Sequence, residues 1–260
     1  MKRTSGLAAA LAGAVLLSAC TGMDATTPGA DPLNRPAVAN SLLDAADAAE
    51  AQNDHATAAS YYRNVFQRDP KNVRAAVGLM QSLRALGAGD QAGEAATMAL
   101  AANPDNAAVI AEVGKVRLAS GDLQDAVKLL ARAAALDPKD WKVRSALGVA
   151  YDRLGDPKKA EDSYRAALQI SPDNAAVLNN YALSRAMAHD LPGARELLQR
   201  AVASAGSDVR VRQNLALIYA LSGDMTQAEA LTLHDLPPEL ARQTLAYYRE
   251  LAAHAQSQQP

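Results

Sequence analysis

Apolar residues recur with helical spacing in segments of about 14 residues, and short polar turns separate these segments. In the stretch 107–138, Ala126, Leu130 and Ala133 form a stripe at i, i+4 and i+7, which is typical of an amphipathic helix. The segment before this stripe ends at Gly121 and Asp122. Glycine adopts the left-handed conformation that ends a helix, and aspartate can cap the next helix. The stretch therefore predicts two helices joined by a tight turn.

The predicted helix pair is repeated every 34 residues along the chain. Alanine recurs where the second helix must cross the first closely, and glycine recurs at the turn. Proline recurs where the second helix must end, because proline cannot continue a helix interior. Asn53 and His189 occupy the two turn positions that lack glycine. The series with this period are Ala58, Ala92, Ala126, Ala160, Ala194 and Ala228; Pro70, Pro104, Pro138 and Pro172; and Gly87, Gly121, Gly155 and Gly223.

One unit carries the fullest version of a recognisable motif. Leu147-Gly148-x₂-Tyr151, Ala160-x₃-Tyr164 and Pro172 resemble the tetratricopeptide repeat family. The resemblance implies an all-α solenoid of six helix-turn-helix units, lightly filled because alanine or leucine often replaces the aromatic residues. The units predicted between residues 38 and 233 are about 39–72, 73–106, 107–140, 141–174, 175–208 and 209–233.

The N-terminus is predicted to be a targeting signal rather than part of the fold. Residues 1–19 read as a signal peptide, and Leu17-Ser18-Ala19-Cys20 resembles a bacterial lipobox. The resemblance implies a covalent lipid on Cys20, which would be the only link to a membrane. The alternative is a free cysteine beside an ordinary signal peptide. By analogy with lipoprotein sorting, Thr21 favours the periplasmic face of the outer membrane, with the final leaflet left open.

The segments that flank the repeats have different predicted roles. Residues 20–37 are predicted to form the acylated cysteine and a flexible, proline-interrupted tether. Residues 234–254 are predicted to form a helix that caps the last repeat, since a solenoid must cover its terminal apolar face. Residues 255–260 are predicted to be a disordered tail.

Composition supports the helical prediction and excludes some classes of function. Alanine, the strongest helix former, accounts for 60 of 260 residues, and aromatic residues make up only 4%. The formal charge is −2, and removal of Lys2 and Arg3 with the signal peptide would leave 24 basic and 28 acidic side chains, a charge of −4. This balance excludes a generally basic nucleic-acid binder. The four histidines lack the spacing of metal ligands, and no phosphate loop or nucleophile motif occurs in the sequence. We therefore expect a protein that is not an enzyme and has no metal, cofactor or small-molecule substrate.

In a tetratricopeptide solenoid the first helix of each unit lines the concave face, where an extended peptide of a protein partner can bind. The alternative for any single residue is a solvated helix face. Asn180 and Arg210 match two positions of a known carboxylate clamp, but Ser145, Val149 and Asn214 do not carry its other residues, so no clamp is predicted. The residues predicted to face a partner are Arg74, Gln81, Arg84, Lys115, Lys142, Ser145, Asp152, Asn179, Asn180, Leu183, Arg210, Gln213 and Leu217.

A narrower resemblance lies near the C-terminus. Residues 211–217, 227–230, 235–239 and 247–249 resemble the TadD family of tetratricopeptide lipoproteins in Flp/Tad pilus assembly. This implies a pilotin-like factor in a type IVb, type II secretion-like system, with the pilus secretin or another Tad component as its partner. The alternative is a general periplasmic adaptor for cell-wall enzymes or polysaccharide export.

Overall fold

The computed structural model of the chain describes residues 36–205 and 208–257, and these two ranges contain thirteen α-helices and no strand. The helices are α1 (Pro36–Ala51), α2 (His55–Arg68), α3 (Val73–Ala85), α4 (Gly89–Ala102), α5 (Ala107–Ser120), α6 (Leu123–Leu136), α7 (Trp141–Leu154), α8 (Pro157–Ile170), α9 (Ala175–Met187), α10 (Leu191–Ala205), α11 (Val209–Leu221), α12 (Met225–Asp235) and α13 (Pro238–Ser257).

Consecutive helices pack against each other, and the odd-numbered helices α1 to α11 also pack in series. The even-numbered helices α2 to α10 make no comparable series of contacts with one another. Since helices approach one another most closely on the concave side of a solenoid, the odd-numbered helices line the inner face. The predicted all-α tetratricopeptide solenoid is confirmed.

The six turns of the 34-residue period share one backbone conformation. The turn residues all have positive φ, from 58° at Asn53 and 63° at His189 to 87° at Gly121. Asparagine and histidine are the two non-glycine residues in this region of the described chain, and both are among the residue types enriched there. The 34-residue spacing therefore reflects a left-handed residue that must end the first helix of every unit.

Polar caps begin most helices. Asp54, Asp156 and Asp224 accept hydrogen bonds from backbone N–H groups three residues later, at 3.1–3.2 Å. A second series, which the sequence-based prediction did not include, starts the odd-numbered helices and also has a 34-residue period. Its members are Asn72, Asn106, Asp140, Asn174 and Asp208.

Small residues let the two helices of a unit approach closely. The six periodic alanines are at most 1% exposed. A Cβ atom on Gly148 would lie 2.6 Å from the Tyr164 ring, and one on Gly114 would lie 2.8 Å from Leu130. Each of the four periodic prolines stands two residues after the end of an even-numbered helix. The alanine and glycine positions therefore set the helix spacing.

Three predicted boundaries differ from the structure. Helix α1 begins at Pro36, inside the predicted tether 20–37, because proline suits the first turn of a helix. The last unit continues to Asp235, and the capping helix spans Pro238–Ser257 rather than 234–254. Leu236 is extended because it precedes Pro237, which separates the two helices. Residues 255–257, predicted to be disordered, continue the alanine-rich helix.

The predicted signal peptide 1–19, Cys20 and most of the tether lie outside the described residues, as do 206–207 and 258–260. No helix within the described ranges is long and apolar enough to cross a lipid bilayer.

Candidate partner-binding face

A buried carboxylate organises the inner face of α3 and α5. Glu112 has a side chain only 1% exposed, and three of the predicted partner-facing residues converge on it. Arg84 donates from Nε to Oε1 at 2.7 Å, and Lys115 Nζ lies 2.7 Å from Oε2. Gln81 donates to Oε2 at 3.3 Å. The cluster joins two successive units through charge-assisted hydrogen bonds.

The charge state of Glu112 follows from this cluster. Burial, the largest influence, acts to raise the pKa of Glu112. The positive charges of Lys115 and Arg84, together with their hydrogen bonds, outweigh burial and hold the pKa below its ordinary value. Glu112 is therefore ionised at neutral pH and fixes the two cations. Its position in the apolar run 109–113, three residues before a lysine, is the sequence signal that would have identified it.

Five predicted residues line one open depression on the inner face. It is bounded by α3, α5, α7 and α9, and the walls between the polar groups are apolar. Lys142 is exposed, and its ammonium lies 5.8 Å from the centre of the Trp141 ring. The predicted residues in the lining are Arg84, Lys115, Lys142, Ser145 and Asn180, and the others are Leu118, Ala119, Trp141, Ala146, Val149 and Ala176.

A row of amides continues the inner face toward α11. Asn180 donates to the Ser145 hydroxyl at 3.4 Å, and Asn179 donates to Asn180 at 3.5 Å. Asn214 in turn donates to Asn179 at 2.7 Å. Asn214 was not among the residues predicted to face a partner, although it occupies the same place in its unit as Asn180. Leu183 follows Asn179 by one helical turn and is half-buried. Amide side chains of this kind can both donate to and accept from a peptide backbone.

Two predicted residues are engaged within the fold. Arg74 pairs with Asp44 at 2.8 Å and also with Asp47, so it joins α3 to α1. Asp152 accepts hydrogen bonds from Tyr164 at 2.8 Å and from Ser184 at 2.7 Å. These contacts tie α7 to α8 and α9. The structure therefore gives Asp152 a packing role rather than a place in the depression.

The capping helix occupies part of the face that α11 was predicted to offer. Leu217 packs against the apolar cluster that contains Leu245 and Tyr248 of α13. The Tyr248 hydroxyl donates to the backbone carbonyl of Gln213 at 3.3 Å. Arg210 remains open, with a side chain 89% exposed. Helix α13 therefore packs over this part of the face at Leu217 and contacts Gln213 through its backbone carbonyl, as expected of a helix that covers the apolar end of a solenoid.

An ion pair connects residues 211–217 with residues 235–239, two of the C-terminal segments that resemble the TadD family. Arg212 on α11 donates to both carboxylate oxygens of Asp235, at 2.6 and 2.9 Å. The Asp235 side chain is 4% exposed, and the hydrogen bonds from Arg212 are the main cause of its lowered pKa. His234 contacts the same carboxylate at 2.9 Å. The pair fixes the end of α12 just before the turn into α13.

Within the described residues, no group of three or more histidine, cysteine or acidic side chains is placed to hold a metal ion. The polar groups on the inner face are hydrogen-bond donors, acceptors and cations arranged along a surface. That arrangement is suited to binding an extended chain.

Comparison with protein families finds tetratricopeptide repeats in this chain. One tetratricopeptide repeat family model matches residues 49–112, and a second matches residues 114–175. Tetratricopeptide repeats are protein–protein interaction modules rather than a catalytic fold. These matches confirm tetratricopeptide repeats over residues 49–112 and 114–175, and the resemblance to the TadD family stays a prediction.

Two curated relatives match parts of the chain. The type IV pilus assembly protein PilF of Pseudomonas aeruginosa is 36% identical over 70 residues, covering 27% of this chain and 28% of PilF. The CTR9 homolog of Arabidopsis thaliana is 28% identical over 152 residues, covering 58% of this chain. The matched region is only 14% of that plant protein. The chain thus spans less than a third of the length of either relative.

Two solved structures from pilus systems have a similar fold. Pseudomonas aeruginosa PilF has a TM-score of 0.62 at 18% identity and covers 83% of this chain and 97% of its own. PilW, a type IV pilus biogenesis factor, has a TM-score of 0.66 at 18% identity and covers 76% and 91%. At such identities the similarity demonstrates the fold alone.

Proposed function

We propose that this protein is an outer-membrane lipoprotein that captures a protein partner on its inner face during assembly of a type IV-like, Flp/Tad pilus. The observation that carries the capture role is the row of cations and amides from Arg84 to Asn214, which the solenoid presents on a single surface. Such a surface binds through many side chains along a chain rather than at one reactive centre.

Three different observations support a role in pilus assembly. A 70-residue segment is 36% identical to a protein named for type IV pilus assembly. The folds of PilF and PilW extend over most of this chain. The segments that resemble the TadD family are joined by the Arg212–Asp235 ion pair, which gives their pairing in the sequence a structural reason.

The proposed mechanism requires a membrane anchor, a tether between the membrane and the solenoid, and a binding surface. Acyl chains on Cys20 would hold the protein at the membrane, since two or more chains anchor far more firmly than one. The tether would let the solenoid sample the periplasm near the membrane. Confinement to that layer raises the effective concentration of the inner face beside a membrane partner such as the secretin. The protein would then assist localisation or assembly without any chemical step.

The test is deletion of the gene, followed by measurement of the heat-resistant secretin multimer in the outer-membrane fraction. We expect the multimer to disappear or to move to the inner membrane. Wild type should restore it and Cys20→Ala should not. Lys128→Glu, on outer helix α6 with a side chain 76% exposed, is the matched control that should restore it.

Each result of that test has a defined meaning. A multimer unchanged in amount and location would refute the secretin role and favour the general periplasmic adaptor. Restoration by Cys20→Ala would refute the need for the lipid anchor.

A further inference from the structure

We propose that the depression between α3 and α9 binds an acidic segment of the partner, with a carboxylate at the three cations and a neighbouring apolar side chain against Trp141 and Val149. This inference rests on the proposed function and specifies the chemistry of the partner. The cations Arg84, Lys115 and Lys142 on α3, α5 and α7 are not positions of the carboxylate clamp, although Ser145, Val149 and Asn180 of the same depression are.

The charge of the depression is opposite to that of the whole chain. The chain has a formal charge of −2, yet the residues that line the depression include Arg84, Lys115 and Lys142 and no acidic residue. Glu112 is buried against Arg84 and Lys115 and is the carboxylate that contacts these two cations. Three positive charges and one negative charge leave the surface with a local excess of two positive charges. An excess of this kind favours an anionic partner and raises its association rate.

Glu112 positions two of these cations without using all their hydrogen-bonding capacity. Arg84 uses Nε and Nη2 on one carboxylate oxygen, while Lys115 uses one of its three donors on the other. Their side chains remain 30% and 22% exposed, so donors are accessible from the depression. A buried counter-ion therefore holds the two groups ready at a small entropic cost on binding.

Lys142 adds a cation with no carboxylate partner in the described part of the chain. It stands in the first turn of α7 beside Trp141 and lines the same depression as Arg84 and Lys115. The ring, with Ala146 and Val149, offers an apolar wall next to the charge. Ser145 and Asn180 lie at the same surface and can hydrogen-bond to a peptide backbone. Together these groups match an extended segment in which an acidic residue adjoins an apolar one.

The experiment selects random dodecapeptides displayed on phage against the full-length protein purified in mild detergent. We expect enrichment of peptides with aspartate or glutamate beside an apolar residue. The best peptide, labelled with a fluorophore, should lose about tenfold in affinity with Lys142→Glu, a rim-charge effect that should weaken at high salt. A version of the peptide with lysine in place of its acid should bind this variant better than it binds wild type.

Two further variants separate charge from folding. Lys128→Glu makes the same charge change on outer helix α6 and should leave the affinity unchanged. Glu112→Gln keeps an amide oxygen that can still accept a hydrogen bond and help to position the cations, but it removes the buried counter-charge, so the affinity for the acidic peptide should rise. Circular dichroism of each variant verifies that the helices are retained.

The outcomes distinguish this inference from the proposed function. Enriched peptides that bind the inner face without acidic residues would overturn the inference and leave partner capture standing. Equal losses with Lys142→Glu and Lys128→Glu would also overturn it. Failure of every peptide to bind would count against partner capture by this face as well.

Discussion

At the scale of single residues, a large side chain on one helix of a unit faces a small residue on the other helix. Gly148 faces Tyr164, and Gly114 faces Leu130, and the members of each pair are 16 positions apart in the sequence. In the second unit the corresponding residues are Met80 and Ala96, both fully buried. The large side chain has moved from the second helix to the first. This exchange explains how a chain with few aromatic residues still fills its core.

Gly148→Ala should destabilise the protein, because the new Cβ atom would overlap the Tyr164 ring. We expect a loss of about 1–3 kcal/mol, the usual cost of overpacking a core. Gly93→Ala is the matched control, since a Cβ atom there meets open space and alanine favours the helix. Urea unfolding of both variants measures the difference. Equal stabilities would contradict the close helix contact at Gly148.

Glu112 should make stability depend on pH. Because its folded-state pKa lies below the ordinary value of 4.5, its contribution is present above about pH 4.5 and is lost as the pH falls through the lowered folded value. Glu112→Gln lacks this dependence. We expect the free energy of unfolding of wild type to exceed that of the variant by about 1–3 kcal/mol at pH 7. This difference should shrink below pH 4.5. Urea midpoints from pH 3 to pH 7 measure it, and a constant difference would argue against an ionised Glu112.

At the scale of helices, the periodic features could be predicted and the exceptions could not. The left-handed turns and the proline stops repeat every 34 residues, so comparison of the units reveals them. The course of α13 has no counterpart among the units, and its contact with Leu217 depends on how the last helix folds back. Periodicity could likewise place Arg84 and Lys115 on the inner face, but it could not reveal that both pair with Glu112.

Arg212→Ala should loosen the capping helix, because it removes the hydrogen bonds from Arg212 to the Asp235 carboxylate at the turn before α13. We expect faster amide hydrogen exchange in α13 and in the last turn of α12, with α1 to α9 unchanged. Arg210→Ala is the matched control on the same helix, since the Arg210 side chain is 89% exposed. Unchanged exchange in α13 with Arg212→Ala would show that the apolar contacts of Leu245 and Tyr248 hold the helix alone.

At the scale of the whole molecule, the fold gives part of the inner face a charge opposite to that of the chain. The odd-numbered helices bring cations and amides from five units to the inner face, while the net charge of the chain is negative. Overall charge predicted that the protein does not bind nucleic acid generally, but it could not predict a local positive surface. That surface emerges only when residues about 30 positions apart are stacked side by side. The repeat thus brings scattered polar residues together on one continuous face.

The central claim is that this inner face captures a protein of the pilus assembly machinery. The most direct measurement is photo-crosslinking in living cells with a photoreactive amino acid placed at Lys142 on α7 or at Lys128 on α6. We expect position 142 to yield an adduct whose second protein is identified by mass spectrometry as a pilus-assembly component. Position 128, on the outer helix, should not yield that adduct. A pilus component cross-linked only from position 128, or adducts from position 142 only to unrelated proteins, would contradict the claim.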